Sequence, residues 1–595
     1  MSREDLYNTY TERAGQFGEA IGRQTRLINL LSLARMVALV AAVWLTVLGV
    51  RESGLHFYLL SLLLFILFLS LITFFEKHKR RRELLLQLKL LNERELSCLD
   101  HDFDDLPDGS EHADTSHPWS HDLDLFGKGS LFQYLNRIST REGNRQLAEM
   151  LTTEPDSARS IGQRQRIITD LKERVDFRQN FIATGNLVSE KPGDAEDITR
   201  WLSASAYISK YPWLVYLALG VSLCSLSLFI WGIFNNTVFW LLLYLSLLNF
   251  MILSPFLMRT QKYQSAISKK HNLLEGYARL LKQIAGNSFG HPELQERSRK
   301  AREGMKEVKR LSKLLQIFDQ RLNMLLGAIL NGLFLFDFIM LHLLEHWKQK
   351  NRHNILEWIG IIGRTDAMIS LSGFAWNHPD YCNPVIDEGE ESLKFEELGH
   401  PLIPYKKRVS NDLRIDGEKV VVITGANMAG KSTFLRSIGV NMVLAYTGCP
   451  VCATQFHCGF LGLHSSMRTT DSLKDEESYF LAEIKKLQLI VQEMESGKHM
   501  LILLDEVLKG TNTTDKRLGS VGLIRKSLKY PVRFFIATHD LSLGELEKDH
   551  PGDVINYCFE SYIEEMELRF DYKIRRGIAT NMNASFLMKK MGIVD

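Results

Sequence analysis

Val420-Val421-Val422-Ile423-Thr424 runs directly into Gly425-Ala426-Asn427-Met428-Ala429-Gly430-Lys431-Ser432. The β-branched run reads as a strand buried on both faces, as in a parallel sheet. The stretch from Gly425 matches G-x-x-x-x-G-K-[ST] in full. Its glycines let the backbone turn N–H groups inward around phosphate oxygens. Lys431 supplies a point charge for the β and γ phosphates, and the Ser432 hydroxyl suits Mg²⁺. Residues 433–443 read as the following helix, whose N-terminal dipole also favours an anion. Strand before and helix after make this a phosphate loop in its proper context. It predicts ATP and Mg²⁺ as cofactors, with nucleotide contacts at Gly425, Ala426, Asn427, Met428, Ala429, Gly430, Lys431, Ser432 and Thr433.

Downstream, Met500-Leu501-Ile502-Leu503-Leu504 reads as a second strand and ends in Asp505-Glu506. Asp505 is placed to hold Mg²⁺ beside Ser432, and Glu506 to orient or deprotonate the attacking water. A third strand, Arg533-Phe534-Phe535-Ile536-Ala537, ends in Thr538-His539-Asp540. A histidine at that edge of an open parallel sheet sits where ligands bind, so His539 can sense the γ-phosphate. The expected catalytic set is Lys431, Glu506 and His539. Cys449-x-x-Cys452 with His457-Cys458 has zinc-like spacing but lacks a second C-x-x-C pair, so these cysteines are expected to be packed small residues.

The whole chain has 595 residues, a prior of about four folding units at roughly 150 residues each. Hydrophobic residues make up 45% and charged residues 24%, which excludes wholesale disorder. Lys and Arg number 72 against 70 Asp and Glu, so the net charge of +2 exerts no overall pull toward nucleic acid. The odd cysteine count of 7, irregularly spaced, points to a reducing compartment rather than a disulfide framework.

A mean hydropathy near zero conceals segregation. Residues 36–50 carry no charge, and 55–75 hold only His56 as a group that could charge near neutral pH. The run 211–258 has no Asp, Glu, Lys or Arg, and Asn235-Asn236 divides it. A span needs about 20 apolar residues, so these runs predict two membrane hairpins and four crossings. Arg35 would snorkel within the first. Lys77-His78-Lys79-Arg80-Arg81-Arg82 follows the second span, and Arg259, Lys262, Lys269 and Lys270 follow the fourth, which keeps both flanks cytoplasmic. Arg3, Arg13, Arg23 and Arg26 precede any apolar run, unlike a cleavable signal. A third apolar stretch, 322–344, contains Asn331, Asp337 and His342; parity makes it a buried helix rather than a fifth crossing.

Residues 100–124 hold nine acidic residues and four histidines. They read as a mobile acidic linker rather than a metal site at His112, His117 and His121. Helical apolar spacing runs through 125–200 and 261–370. The basic stretch 291–321 carries Arg297, Arg299, Lys300, Arg302, Lys306, Lys309, Arg310 and Lys313. It reads first as a solvated helix face and second as a phosphate-contacting arm, with Arg297, Lys300, Lys306 and Lys313 as its most exposed members.

The phosphate loop, continued through Tyr446-Thr447-Gly448-Cys449-Pro450-Val451-Cys452-Ala453, closely resembles the MutS mismatch-repair ATPases. The Asn427-Met428 pair is that family's habit. Matches continue in register: Asp471 and Leu473, then Ser478-Tyr479-Phe480-Leu481-Ala482-Glu483-Ile484, Asp505-Glu506, Gly510-Thr511-Asn512-Thr513-Thr514-Asp515 and Ala537-Thr538-His539. Gly399-His400-Pro401, Asn411-Asp412 and Asp124-Leu125-Phe126-Gly127-Lys128-Gly129-Ser130-Leu131-Phe132 also look like family segments. The resemblance covers roughly 120–200 and 350–595. It implies an α/β P-loop domain of ABC type behind an all-α core. It also implies a homodimer with composite ATP sites, in which Ser478 reaches the γ-phosphate of the opposite subunit and the 510–515 loop crosses the dimer contact.

The departures are specific. The family's Phe-x-Glu mismatch wedge belongs to an N-terminal domain for which the hairpins leave no room, and Phe74-Phe75-Glu76 ends a membrane span. Glu476-Glu477 replace the usual Gly and basic residue before the serine. The resulting division is 1–27 N-terminal segment, 28–75 hairpin, 76–120 basic then acidic linker, 121–210 core, 211–258 second hairpin, 259–375 core and lever, and 376–595 ATPase. The expected function is a membrane-anchored, dimeric MutS-like ATPase acting on DNA at the cytoplasmic face of an inner membrane. The alternatives are an ATP-driven transporter or a structural tether.

Overall fold

Val420–Gly425 forms a strand whose residues are all buried, in the larger of two sheets. The computed structural model describes residues 2–205, 210–235, 238–258, 260–261, 267–268, 270–389, 392–468, 479–508, 511–564 and 567–580. Its strands are β1 (Val385–Asp387), β2 (Leu393–Leu398), β3 (Asn411–Ile415), β4 (Val420–Gly425), β5 (Gln455–Gly459), β6 (Gly462–Ser466), β7 (Met500–Asp505), β8 (Val532–Thr538), β9 (Val554–Glu564) and β10 (Glu567–Arg576). The larger sheet runs β10-β9-β4-β8-β7-β6, parallel except for the β9–β10 pair at its edge. Parallel pairing brings the C-terminal ends of β4, β8 and β7 to one edge, with Thr424 opposite Thr538 and Asp505 opposite Ala537. The other sheet is β1-β5-β2-β3.

The helical body is organised on Asn354–Asn377, which is buried on nearly every side and contacts Arg141–Thr152 and Ala158–Lys172. Several of its buried charged groups are paired, as burial demands. Arg137 donates Nε to Glu95 Oε1 at 2.7 Å, and Asn377 Nδ2 donates to Glu95 Oε2 at 2.7 Å. Asp366 accepts from the backbone and hydroxyl groups of Ser139 and Thr140.

Arg3–Glu52 and Leu55–Leu99 form one antiparallel hairpin, turning at Ser53, whose φ is 52°. Its near end docks on the body: Tyr10 donates to Asn377 at 2.7 Å, and Arg13 pairs with Asp176 at 2.6 Å. Its far end exposes Leu30, Val40, Trp44, Leu63 and Ile66. Trp213–Phe234 and Val238–Leu253 form the second apolar pair. Arg80, past the first apolar run, pairs at 3.1 Å with Glu275 on the helix His271–Gly286, which follows the second.

Four sequence expectations need correction. Among the described residues, three helices are long and apolar enough to cross a membrane: Arg3–Glu52, Leu55–Leu99 and Trp213–Phe234. The fourth expected span, Val238–Leu253, has 16 residues, about 24 Å of helix against a hydrocarbon layer of about 30 Å. Pro255 follows in the 3-10 turn Ser254–Phe256, and its missing N–H breaks the α-helical ladder.

The region 76–120 is no linker. The second helix continues to Leu99, and residues 100–124 are docked. Phe103, Leu106, Trp119 and Leu123 are buried, while Asp122 accepts from Lys486 Nζ at 2.5 Å and Ser465 Oγ at 2.8 Å. Acidic composition suggested mobility, but the interleaved large apolar residues anchor the segment. His117 Nδ1 accepts from the N–H groups of Trp119 and Ser120, a turn-building role.

The stretch 322–344 is not one buried helix. It is two, Met324–Phe334 and Phe336–Asn351, bent by 89°. Finally, Arg297 is not exposed: it is buried and paired with Glu293 on its own helix, Pro292–Phe318. Lys300 is tied to Glu357 at 2.6 Å. Lys306, Lys309, Arg310 and Lys313 do remain exposed.

Candidate nucleotide-binding site

The edge formed by β4, β8 and β7 gathers the residues that the motifs singled out. Gly425, at the end of β4, has φ 151° and Gly430 has φ 110°. A Cβ on Gly425 would meet the Phe559 carbonyl at 2.6 Å, and one on Gly430 would meet the Tyr572 ring at 3.2 Å. Side chains are excluded at both places, which keeps the loop's N–H groups open toward a ligand. Met428 also takes a left-handed conformation, φ 67°, and is 78% exposed. Such a conformation in a long side chain marks strain at a functional loop. Ala426 and Ala429 are buried within the loop, and Asn427 is exposed at its tip. The helix Lys431–Thr447 starts on Gly430, with Ser432 half-buried and Thr433 exposed in its first turn.

Lys431 is buried, its Nζ donating to the Gly425 and Ala426 carbonyls at 2.8 and 2.9 Å. His539 follows β8, with Nδ1 3.0 Å from the Gly425 oxygen and Nε2 in an ion pair with Glu506. Glu506 follows β7 at φ 53°, and its N–H donates to Ala537 O at 2.9 Å. Asp505 is buried, and its Oδ1 has no hydrogen-bond partner among the described residues. A buried carboxylate oxygen left open in this way suits a cation. Ser478, with Asp471, Leu473, Glu476 and Glu477, lies outside the described residues.

Two features escape a reading of the sequence. Glu483 stands inside a family-like run that assigns it no role; it is buried, and its Oε1 accepts the Leu508 N–H at 2.6 Å. Leu508 itself sits at φ 61°, so Glu483 pins the left-handed loop that carries Glu506. The other feature is a cavity of about 230 Å³ on the outer side of the phosphate-loop helix, lined in part by His400, Ile403, Asn411, Phe559 and Tyr572. Burial, assisted by the nearby Arg436 charge, pushes His400 down to about 4, so it is neutral. A flat, neutral heterocycle suits such walls.

Residues 421–590 match the family model of MutS domain V. That stretch is a MutS-type domain. Among its relatives, the DNA mismatch repair protein MutS of Thermotoga maritima is 32% identical over 251 residues, 42% of this chain and 31% of that protein. MutS of Protochlamydia amoebophila is 31% identical, covering 38% of this chain and 27% of its own length. Human Msh3 is 28% identical, covering 38% and 22%. The chain thus spans about a third or less of each of these relatives. The sheet edge that carries Lys431, Asp505, Glu506 and His539 falls within the MutS-type domain.

The cysteines of that domain are structural. Cys449 and Cys458 are buried, and burial pushes the Cys449 thiol up to about 12. Cys452 is buried nearby, beside Tyr381 and Arg408.

Proposed function

We propose that the chain is a membrane-anchored MutS-type ATPase that works as a homodimer and acts on DNA. The observation that carries the ATPase reading is the convergence of Lys431, the open Asp505 oxygen and the Glu506–His539 pair on one sheet edge. The glycine cradle and that open oxygen fit ATP with Mg²⁺. Ser432 and Asp505 would hold the ion, which neutralises phosphate charge and orients the nucleotide. Lys431 exchanges its two carbonyl partners for phosphate oxygens. Glu506 orients and deprotonates water, and His539 holds the Glu506 carboxylate in place while touching the phosphate loop. The lined cavity takes the base.

Membrane attachment is supported by two apolar hairpins with outward-facing leucines and tryptophans and by basic residues at their returning ends. Orientation by those bases puts the ATPase domain on the cytoplasmic side. DNA as partner rests on the relatives, named for DNA mismatch repair, and dimerisation on the resemblance of the Ser478 and 510–515 segments to the MutS pattern. One observation favours the tether as second reading: part of the basic helix is already neutralised, by its own acids in Arg297–Glu293 and Arg299–Glu296 and by a neighbouring helix in Lys300–Glu357.

The deciding experiment is DNA binding by the full chain in nanodiscs, with and without ATP, on duplex, mismatched and branched substrates. Nucleotide-dependent binding supports the proposal. ATP hydrolysis without DNA binding under any condition would transfer the reading to the tether or transporter.

A further inference from the structure

Pro292–Phe318 leads away from the helical body, and Phe336–Asn351 leads back beside it. Their contacts are in antiparallel register. At the far end Arg321 pairs with Asp337 at 2.8 Å; at the near end Trp347 Nε1 donates to Glu307 O at 3.0 Å and Lys350 Nζ pairs with Glu307 at 2.8 Å. A chain that goes out and returns along the same line has not crossed anything. Met324–Phe334 is therefore the tip of an excursion, turned by 89° from the returning leg.

The tip packs against the second apolar hairpin. Asn249 Nδ2 donates to Gly332 O at 2.6 Å, and Ser222 Oγ donates to Phe334 O at 3.1 Å. Gly332 lies against Ser246, with no room for a Cβ. The helix breaks at Leu335, which is fully buried at φ 48°. There Asp337 N donates to Asn331 Oδ1 at 2.9 Å, and Asn331 Nδ2 returns a bond to Asp337 Oδ1. The backbone groups freed by the break are thus met by side chains of the hairpin and of the tip itself. This is the condition under which broken backbone is tolerated at membrane depth. The buried Asp337 is paired, as charge there must be. On the outer side, Met324 is 88% and Leu325 78% exposed, and Ile329 is also exposed, as are Leu226 and Leu247 on the hairpin helices that the tip contacts.

We infer that Met324–Leu335 is a re-entrant element: it enters the apolar layer from the ATPase side, seats its outer face against lipid acyl chains, and returns without crossing. Continuity with the apolar surface of Trp213–Phe234 and Val238–Leu253 identifies the bilayer as the occupant. The inference rests on the membrane reading above and deepens it. Two hairpins that each return to the side they left, plus one re-entrant turn, leave the ATPase domain on the side of the N-terminus.

The test uses nitroxide labels on Met324→Cys, Leu325→Cys and Ile329→Cys in a Cys224→Ser background, with full-length protein in phosphatidylcholine–phosphatidylglycerol vesicles. Collision with oxygen and with a water-soluble nickel chelate reports depth. Leu63→Cys and Phe229→Cys serve as hairpin references. All three tip labels should favour oxygen. Nickel-accessible tip labels alongside lipid-exposed references would overturn the inference while leaving the membrane reading intact. Nickel-accessible references would remove both. In the same vesicles an impermeant maleimide should reach Lys306→Cys and Gln349→Cys from one side only, the same for both. Labelling from opposite sides would make the segment a crossing and refute the re-entrant assignment.

Discussion

His539 and Glu506 are ion-paired across the ends of β8 and β7, while the other nitrogen of the same imidazole lies 3.0 Å from the Gly425 carbonyl. One side chain therefore connects the strand end that carries the acidic pair to the loop that would hold phosphate. Glu506 thus has its position set by a group that also touches the phosphate loop.

Lys431→Ala should abolish nucleotide binding. Glu506→Gln should retain binding and lose turnover by about 10²–10⁴, the usual effect of removing one positioned acid–base group. Equilibrium binding of a fluorescent ATP analogue and steady-state hydrolysis separate the two. Wild-type turnover in Glu506→Gln would show the base to be elsewhere.

Glu483→Ala leaves the buried Leu508 N–H without its acceptor. An unsatisfied buried donor costs about 1–3 kcal/mol, here charged to the loop that carries Glu506. Turnover should fall more than tenfold while nucleotide affinity changes little, and the unfolding midpoint should drop modestly. Unchanged turnover would show that the loop holds its shape without Glu483.

Ser478 tests the shared site. Mixing Ser478→Ala with Lys431→Ala subunits should leave at most one competent site in each mixed dimer, read by single-turnover hydrolysis. Full activity at both sites would exclude a contribution across the dimer.

His378 should make stability pH-dependent. Its Nδ1 donates to Phe374 O and its Nε2 accepts from Tyr134, both at 2.8 Å, which satisfies the neutral ring. Burial pushes it down to about 4 from an ordinary 6.5. The folded state therefore disfavours the charged ring. The contribution is fully present above about pH 6.5 and is lost as the pH falls toward 4, amounting to about 3 kcal/mol at 1.36 kcal/mol per unit. Denaturant midpoints of wild type and His378→Gln, measured from about pH 4 to 8, should converge at the acid end. Parallel curves would contradict the assignment.

If DNA is bound, the exposed cations Lys306, Lys309, Arg310 and Lys313 are the better candidates, since Arg297 and Lys300 are engaged with acids. Changing these four to Glu should weaken binding on every DNA tested and flatten the salt dependence, by roughly 0.9 in log–log slope for each phosphate no longer neutralised. Mismatch preference should stay below about 1 kcal/mol, against roughly 1–3 for a base pair read specifically. A strong preference untouched by these changes would reveal a separate reader.

What the amino-acid order determined by itself was local. Val420–Gly425 is a strand because its β-branched run leaves little else, and the glycines beyond it admit backbone that no side chain permits. Lys431 was legible from the glycine motif, and Asp505, Glu506 and His539 because each follows an apolar run, and parallel strands bring such ends to one edge. Only the tertiary structure decided the long-range matters. The acids of 100–124 looked like a mobile linker until Asp122 met Lys486 and Ser465, residues far away in the chain. Arg297 looked like a surface cation, but its helix faces the body on that side. Glu483 had no role until the fold brought it under Leu508. Apolar composition in 322–344 could not distinguish a buried helix from a bent one. The bend at Leu335 depends on Ser222 and Asn249 taking up the Phe334 and Gly332 carbonyls, and no periodicity within 322–344 encodes partners that lie about a hundred residues upstream.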